Sequence, residues 1–159
     1  MKSLVIYYTR TGKTKSVAEA IASQLGADIE EVVDLKKRQG KIGWIMGGKD
    51  ATRKSLTDIA LIKKAPADYD LMVIGTPIWA WSPTPALRTY ISQNDLSGKN
   101  VALFYTFESD MKQAAERTKA LLPNATIISE LPLANPSGNK QETEKKISEW
   151  CATLKEKVQ

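Results

Sequence analysis

Apolar residues fall along this chain in two alternating kinds of run. Leu4-Val5-Ile6 is a short continuous block; Val17, Ala18, Ile21, Ala22 and Leu25 follow at helical spacing. This pattern predicts a strand over residues 3–8, a tight turn, and a helix over 13–25 that Gly26 stops. A second strand over 28–33 completes a βαβ unit, whose crossover is expected to be right-handed. Asp70-Leu71-Met72-Val73-Ile74-Gly75-Thr76 is the unbroken apolar run of a central parallel strand. Pro77, Pro83 and Pro85 break it into a stiff loop, and Pro85 suits the first turn of a helix carrying Leu87, Tyr90 and Ile91. Further strands are predicted over 101–107 and 126–131, the latter stopped by Pro132, with helices over 111–122 and 140–157. Residues 34–54 are less regular. Gly43, Gly47 and Gly48 interrupt a helix predicted over 43–54, which is read as covering one sheet face with Trp44 in the core; the alternative is a mobile flap near a ligand, with Trp44 or Met46 touching it. Strands and helices in this alternation imply an α/β fold: a doubly wound, five-stranded parallel sheet with helices on both faces, in a single domain over 1–159.

Ligands of such sheets sit beyond the carboxyl ends of the strands. Three loops are predicted there. The first, Thr9-Arg10-Thr11-Gly12-Lys13-Thr14, offers unpaired N–H groups at a helix start, three hydroxyls, a flexible glycine and two cations, which together suit a phosphate. It is too short for a triphosphate-wrapping Walker A loop, because Tyr7 stands where that motif needs its first glycine. One glycine also falls short of the three in a dinucleotide fingerprint. The second loop, Pro77-Ile78-Trp79-Ala80-Trp81, carries two indoles that either pack on the protein or stack on a planar ligand. The third, Thr106-Phe107-Glu108-Ser109, mixes an aromatic ring with polar groups.

Composition narrows the choices. The 159 residues are 42% hydrophobic and 26% charged, as in a soluble globular protein. The first apolar run is too short for a signal peptide or a membrane span, so no membrane insertion is expected. The single cysteine, Cys151, excludes an internal disulfide, fits a cytoplasmic location and is read as a small core residue of the last helix. With no histidine, a His-based metal site or a Ser-His nucleophile is impossible. The net charge of +5 is concentrated between Lys36 and Lys64, as either a solvated face or a docking surface. Nucleic-acid binding would rest on charge alone and is not expected.

Thr9-Arg10-Thr11-Gly12-Lys13-Thr14 matches the phosphate loop of flavodoxins, and Gly75-Thr76-Pro77-Ile78-Trp79 is similar to the segment opening their second flavin loop. The chain resembles a short-chain flavodoxin over nearly its whole length. The resemblance implies strand order 2-1-3-4-5 and one noncovalent FMN, with residues 9–14 on the phosphate. It also places Trp79 and its neighbours on one face of the ring, and Phe107 with the 106–109 backbone on the other face or edge. The implied role is a monomeric electron carrier between redox proteins. The alternative is an FMN-dependent NAD(P)H:quinone or azo-type reductase on the same fold. Two departures matter. Flavodoxins commonly have a glycine where this chain has Ala80, which implies a less stabilised half-reduced flavin. They are commonly acidic whereas this chain is basic, which implies an acidic redox partner.

Overall fold

The computed structural model describes residues 1–158. In order along the chain it contains β1 (Ser3–Tyr7), α1 (Lys13–Leu25), β2 (Asp28–Glu31), α2 (Gly40–Thr52), β3 (Leu71–Trp79), β4 (Ser82–Pro83), α3 (Pro85–Gln93), β5 (Asn100–Phe107), α4 (Ala114–Lys119), β6 (Thr126–Ala134) and α5 (Lys140–Lys157). Five parallel strands lie in the predicted spatial sequence. The short β4 pairs antiparallel with β3, so the sheet has six strands in the order β2-β1-β3-β5-β6, with β4 beside β3. Side chains alternate across the sheet. Leu4, Ile6, Met72, Ile74, Leu103 and Tyr105 face one way, into a core closed by α2, α3 and α4. Val5, Tyr7, Val73, Ala102 and Phe104 face the other way, against α1 and α5, where Cys151 is buried as expected.

Several boundaries differ from the sequence pattern, each for a local reason. β3 continues through Pro77 because its neighbour β1 stops in register with Gly75. At Thr76 and Pro77 only β5 pairs with it, and no partner is left on the β1 side for the N–H that proline lacks. The predicted 77–85 loop is therefore a hairpin, closed by Ala80 and Trp81 at φ 46° and 55°. Positive φ at both central residues is what a two-residue turn between twisted strands requires. Pro132 does not stop β6 either. It sits opposite Tyr105 on an edge strand, where a missing donor breaks no ladder on the open side. The second strand ends before Val33, because residues 33–35 pair instead with the returning segment 58–60. The helix predicted over 111–122 keeps only its middle, flanked by turns.

α2 begins three residues earlier than predicted, and Trp44 is not in the core: it is 61% exposed. Gly43, Gly47 and Ala51 form the buried face instead. Small residues at this spacing let the helix lie close to what it covers. The segment leading into it is pinned by Arg38, which is buried and bonded to Asp34 at 2.5 Å and Asp50 at 2.8 Å.

Candidate functional site

The three loops at the carboxyl end of the sheet converge on one cleft of about 240 Å³. Its walls include Thr9, Arg10, Thr11, Lys13, Thr14, Pro77, Ile78, Trp79, Thr106, Phe107 and Glu108. Gly12 shapes the first loop from behind. Ala80, Trp81 and Ser109 do not line the cleft, because the hairpin turn carries the first two past its rim. Trp44 and Pro136 line it without having been singled out as site residues. The only signal for Trp44 was an indole in a glycine-broken, cationic helix, which also fits a flap over a ligand. For Pro136 it was a Pro-Ser-Gly loop after the last strand.

The first loop is built around Thr9. Its Oγ1 accepts from the Gly12 N–H at 3.0 Å and the Lys15 N–H at 3.4 Å, closing the turn from inside. Gly12 has φ 94°, and a Cβ there would meet nothing within 4 Å. The position needs glycine for its backbone conformation, not for space. Among the described residues, the N–H groups of Thr11, Lys13 and Thr14 reach no acceptor in the protein. They lie at the positive end of the α1 dipole. Thr14 is buried, and its hydroxyl lies 2.8 Å from that of Thr106, tying the first loop to the third. A second tie crosses the rim, where the Lys13 ammonium meets the Glu108 carboxylate at 2.5 Å.

Trp79 forms the floor of the aromatic side. It is 9% exposed and meets Tyr8 edge-on, with centroids 5.4 Å apart and planes at 86°. Arg38 and Arg10 lie 5.8 Å and 6.0 Å from its ring. Most of this indole packs on the protein, and its remainder faces the cleft. Burial pushes the Tyr8 phenol up to about 12, so it stays neutral at physiological pH. Trp81 points away, 44% exposed, with the Lys112 ammonium 3.7 Å from its ring centre. A second cavity of about 480 Å³ adjoins the cleft across Thr9 and Arg10, between β1 and the 33–39 segment.

Comparison with known proteins agrees with this architecture. The flavodoxin family model matches residues 2–154. A flavodoxin from Nostoc sp. is 29% identical over 106 residues, covering 64% of this chain and 49% of the relative. The chain thus spans about half the length of the curated relatives it matches. Among solved structures, a flavoprotein from Lactobacillus acidophilus crystallised in complex with FMN superposes with a TM-score of 0.73 at 23% identity, over 86% of this chain and 94% of that one. Oxidised flavodoxin 2 from Bacillus cereus gives a TM-score of 0.64 at 21% identity, over 99% of both. At these identities the solved structures speak for the fold, and the family model speaks for descent: the chain belongs to the flavodoxin family.

Proposed function

We propose that this protein is an FMN-dependent electron carrier, working between redox proteins in a reducing cytoplasm. One observation carries the reading: a single cleft joins three unpaired N–H groups at a helix start to an aromatic wall. FMN needs both. Its phosphate suits the N–H groups of Thr11, Lys13 and Thr14, the Thr11 hydroxyl and the Arg10 and Lys13 charges. Its ring suits Trp79, Trp44, Ile78 and Phe107. Family membership and the FMN-bound Lactobacillus acidophilus relative support the same cofactor.

When bound, FMN supplies the one- and two-electron chemistry. The protein's residues bind and shield it. Thr9 holds the phosphate loop in shape, and the Thr14–Thr106 contact keeps that loop in register with the ring-side loop. Trp79, fixed by Tyr8 and α2, presents a rigid apolar surface. The Glu108 carboxylate, neutralised in part by Lys13, sets the charge at the rim.

Protein purified without added cofactor is expected to show a flavin spectrum, with FMN released on heating. Colourless protein that takes up no FMN would refute the proposal. The second cavity gives the reductase reading a place for a second substrate beside Arg10. Rapid NADPH oxidation with quinone, without any added reductase, would decide for that reading; its absence alongside electron exchange with a flavodoxin reductase decides for the carrier.

A further inference from the structure

α2 turns its large residues outward. Gly43, Gly47 and Ala51 pack against the body of the protein, whereas Ile42, Trp44, Ile45 and Met46 are exposed, Ile42 to 79% and Ile45 to 60%. A helix that only covers a sheet does the reverse. Ile42, Ile45 and Met46 share one helix face, and Lys49 extends that face by a turn. Trp44 lines the cofactor cleft; the other three line neither that cleft nor the cavity beside Arg10. They form an apolar ridge in water, which marks a surface that meets something else. Its surroundings are basic. Residues 36–54 hold seven of the chain's 23 lysines and arginines and only one of its 18 acids, so the rest of the chain is close to neutral. That one acid, Asp50, is largely covered and already bound by Lys36 and Arg38. Lys37, Lys41, Lys49, Arg53 and Lys54 are exposed and enter no ion pair among the described residues.

We propose that α2 docks this protein onto a membrane surface rich in anionic phospholipid. The helix lies in the plane of the headgroups, with Ile42, Ile45 and Met46 dipped among the first acyl carbons. Charge selects this occupant. Anionic headgroups complement the five free cations, each of which adds to binding near a charged bilayer. A second copy of the chain would instead bring like charges face to face. An acidic protein would answer the charges, but the centre of a protein interface is packed into pockets, and these isoleucines protrude from a single helix. A fluid acyl layer takes protruding side chains without a matching pocket. Lys41 and Lys49 bracket the apolar run, so their stems lie along it while the ammonium groups reach lipid phosphates. Trp44 lies between Ile42 and Ile45 and also forms part of the cleft wall, so a docked molecule holds its cofactor cleft beside the membrane. Docking needs no cofactor and is independent of the electron-carrier reading.

The test floats the FMN-loaded full chain with vesicles of phosphatidylglycerol and phosphatidylcholine in equal parts, and with vesicles of phosphatidylcholine alone. The anionic vesicles are expected to carry the protein, less well at raised salt, and the neutral ones to bind it at least about tenfold more weakly. Two pairs of substitutions in α2 test the two contributions separately. Ile42→Ser with Ile45→Ser is expected to weaken binding about tenfold or more through lost apolar contact. Lys41→Gln with Lys49→Gln is expected to do the same through lost charge. Either pair decides if the other fails to fold. Lys140→Gln with Lys155→Gln removes equal charge from α5, on the opposite face of the sheet, and is expected to bind within about twofold of the parent. Equal losses from the α5 and α2 lysine pairs would overturn the proposal, leaving unspecific attraction of a basic protein. An isoleucine pair that binds like the parent would overturn it too. Absence of flotation with anionic vesicles overturns it outright. The ridge is then a protein surface: for an acidic chain if a capped hexaglutamate peptide shifts the Lys49 amide NMR signal, or for a second copy if the molecule sediments as a dimer that the isoleucine pair dissolves. Protein that takes up no FMN sinks the carrier reading alone, since the same flotation still judges the docking face.

Discussion

Gly47 of α2 faces the indole of Trp79 so closely that a Cβ at this glycine would lie 2.9 Å from Trp79 Cζ3. The helix that covers the cleft therefore rests on the aromatic floor of the cleft through a residue with no side chain. Gly47→Ala would gain about 1 kcal/mol of helix propensity. It would lose about 1–3 kcal/mol to overpacking against a ring that Tyr8 and Arg38 hold in place. The net expectation is destabilisation by about 1 kcal/mol, seen as a lower urea midpoint. Gly48→Ala is the control. Its Cβ would meet only the Ala80 Cβ at 4.0 Å, so propensity wins and the midpoint rises.

Ala80 holds φ 46° at the hairpin turn. Left-handed backbone costs an L-residue about 1–2 kcal/mol, and a new glycine costs about 0.4–1 kcal/mol through the unfolded chain. Ala80→Gly is expected to stabilise the fold by about 0.5–1 kcal/mol on this difference. In a redox titration of the FMN-loaded protein, the same variant is expected to separate the two one-electron potentials further. An unchanged separation would show that the turn does not respond to the charge of the flavin.

Thr9 lines the cleft, and its hydroxyl is turned into the loop, where it accepts from two N–H groups. Thr9→Val keeps the shape and removes the acceptor. Each lost bond costs about 0.5–1.5 kcal/mol, so FMN affinity is expected to fall roughly tenfold. The urea midpoint of the cofactor-free protein should move far less. Quenching of flavin fluorescence on titration measures the first quantity.

Asp50 binds its proton less tightly in the folded protein than in the unfolded chain, held down first by its hydrogen bond from Lys36 and then by Arg38. Its contribution to stability is complete above the unfolded carboxyl value of 3.8 and is lost as pH falls through the lower folded value. Thermal melts of the parent are expected to drop steeply below that range, and Asp50→Asn is expected to flatten the drop. At neutral pH the variant should cost about 1–3 kcal/mol, because Arg38 keeps its bond to Asp34.

Cys151 is 1% exposed, and burial pushes its thiol up to about 11. At pH 7 it is both protonated and covered, so a disulfide reagent should label it only through unfolding. Labelling rates that track the unfolding equilibrium in urea would bear this out; fast labelling of native protein would not.

How far the sequence carries the fold depends on what each residue competes with. α1, α3 and α5 start and stop where glycine, proline and apolar spacing place them, because nothing long-range contests those signals. Pro77 and Pro132 mislead when read locally. Whether a proline breaks a ladder depends on which neighbour it would have bonded, and that is a property of sheet order. Trp44 misleads in the opposite sense. Its size suggests burial, yet the small residues around it claim the packed face and turn it toward the cleft. Of the candidate site, the residues on β3 and β5 and in the exits of β1 and β5 line one cleft, apart from Gly12 and Ser109. Ala80 and Trp81 do not, since a two-residue turn is invisible in a segment written with three prolines.

Pro132 has one more consequence. β6 is the outermost strand on its side of the sheet, and an open row of backbone donors is a template on which a foreign chain can grow. Proline shortens that template by cutting it three residues from its end, and the opposite margin, β2, offers only four residues, three of them acidic. Crowded together at high concentration, copies of this protein meet borders that are short on one side and cut back on the other, which disfavours zipping into fibres.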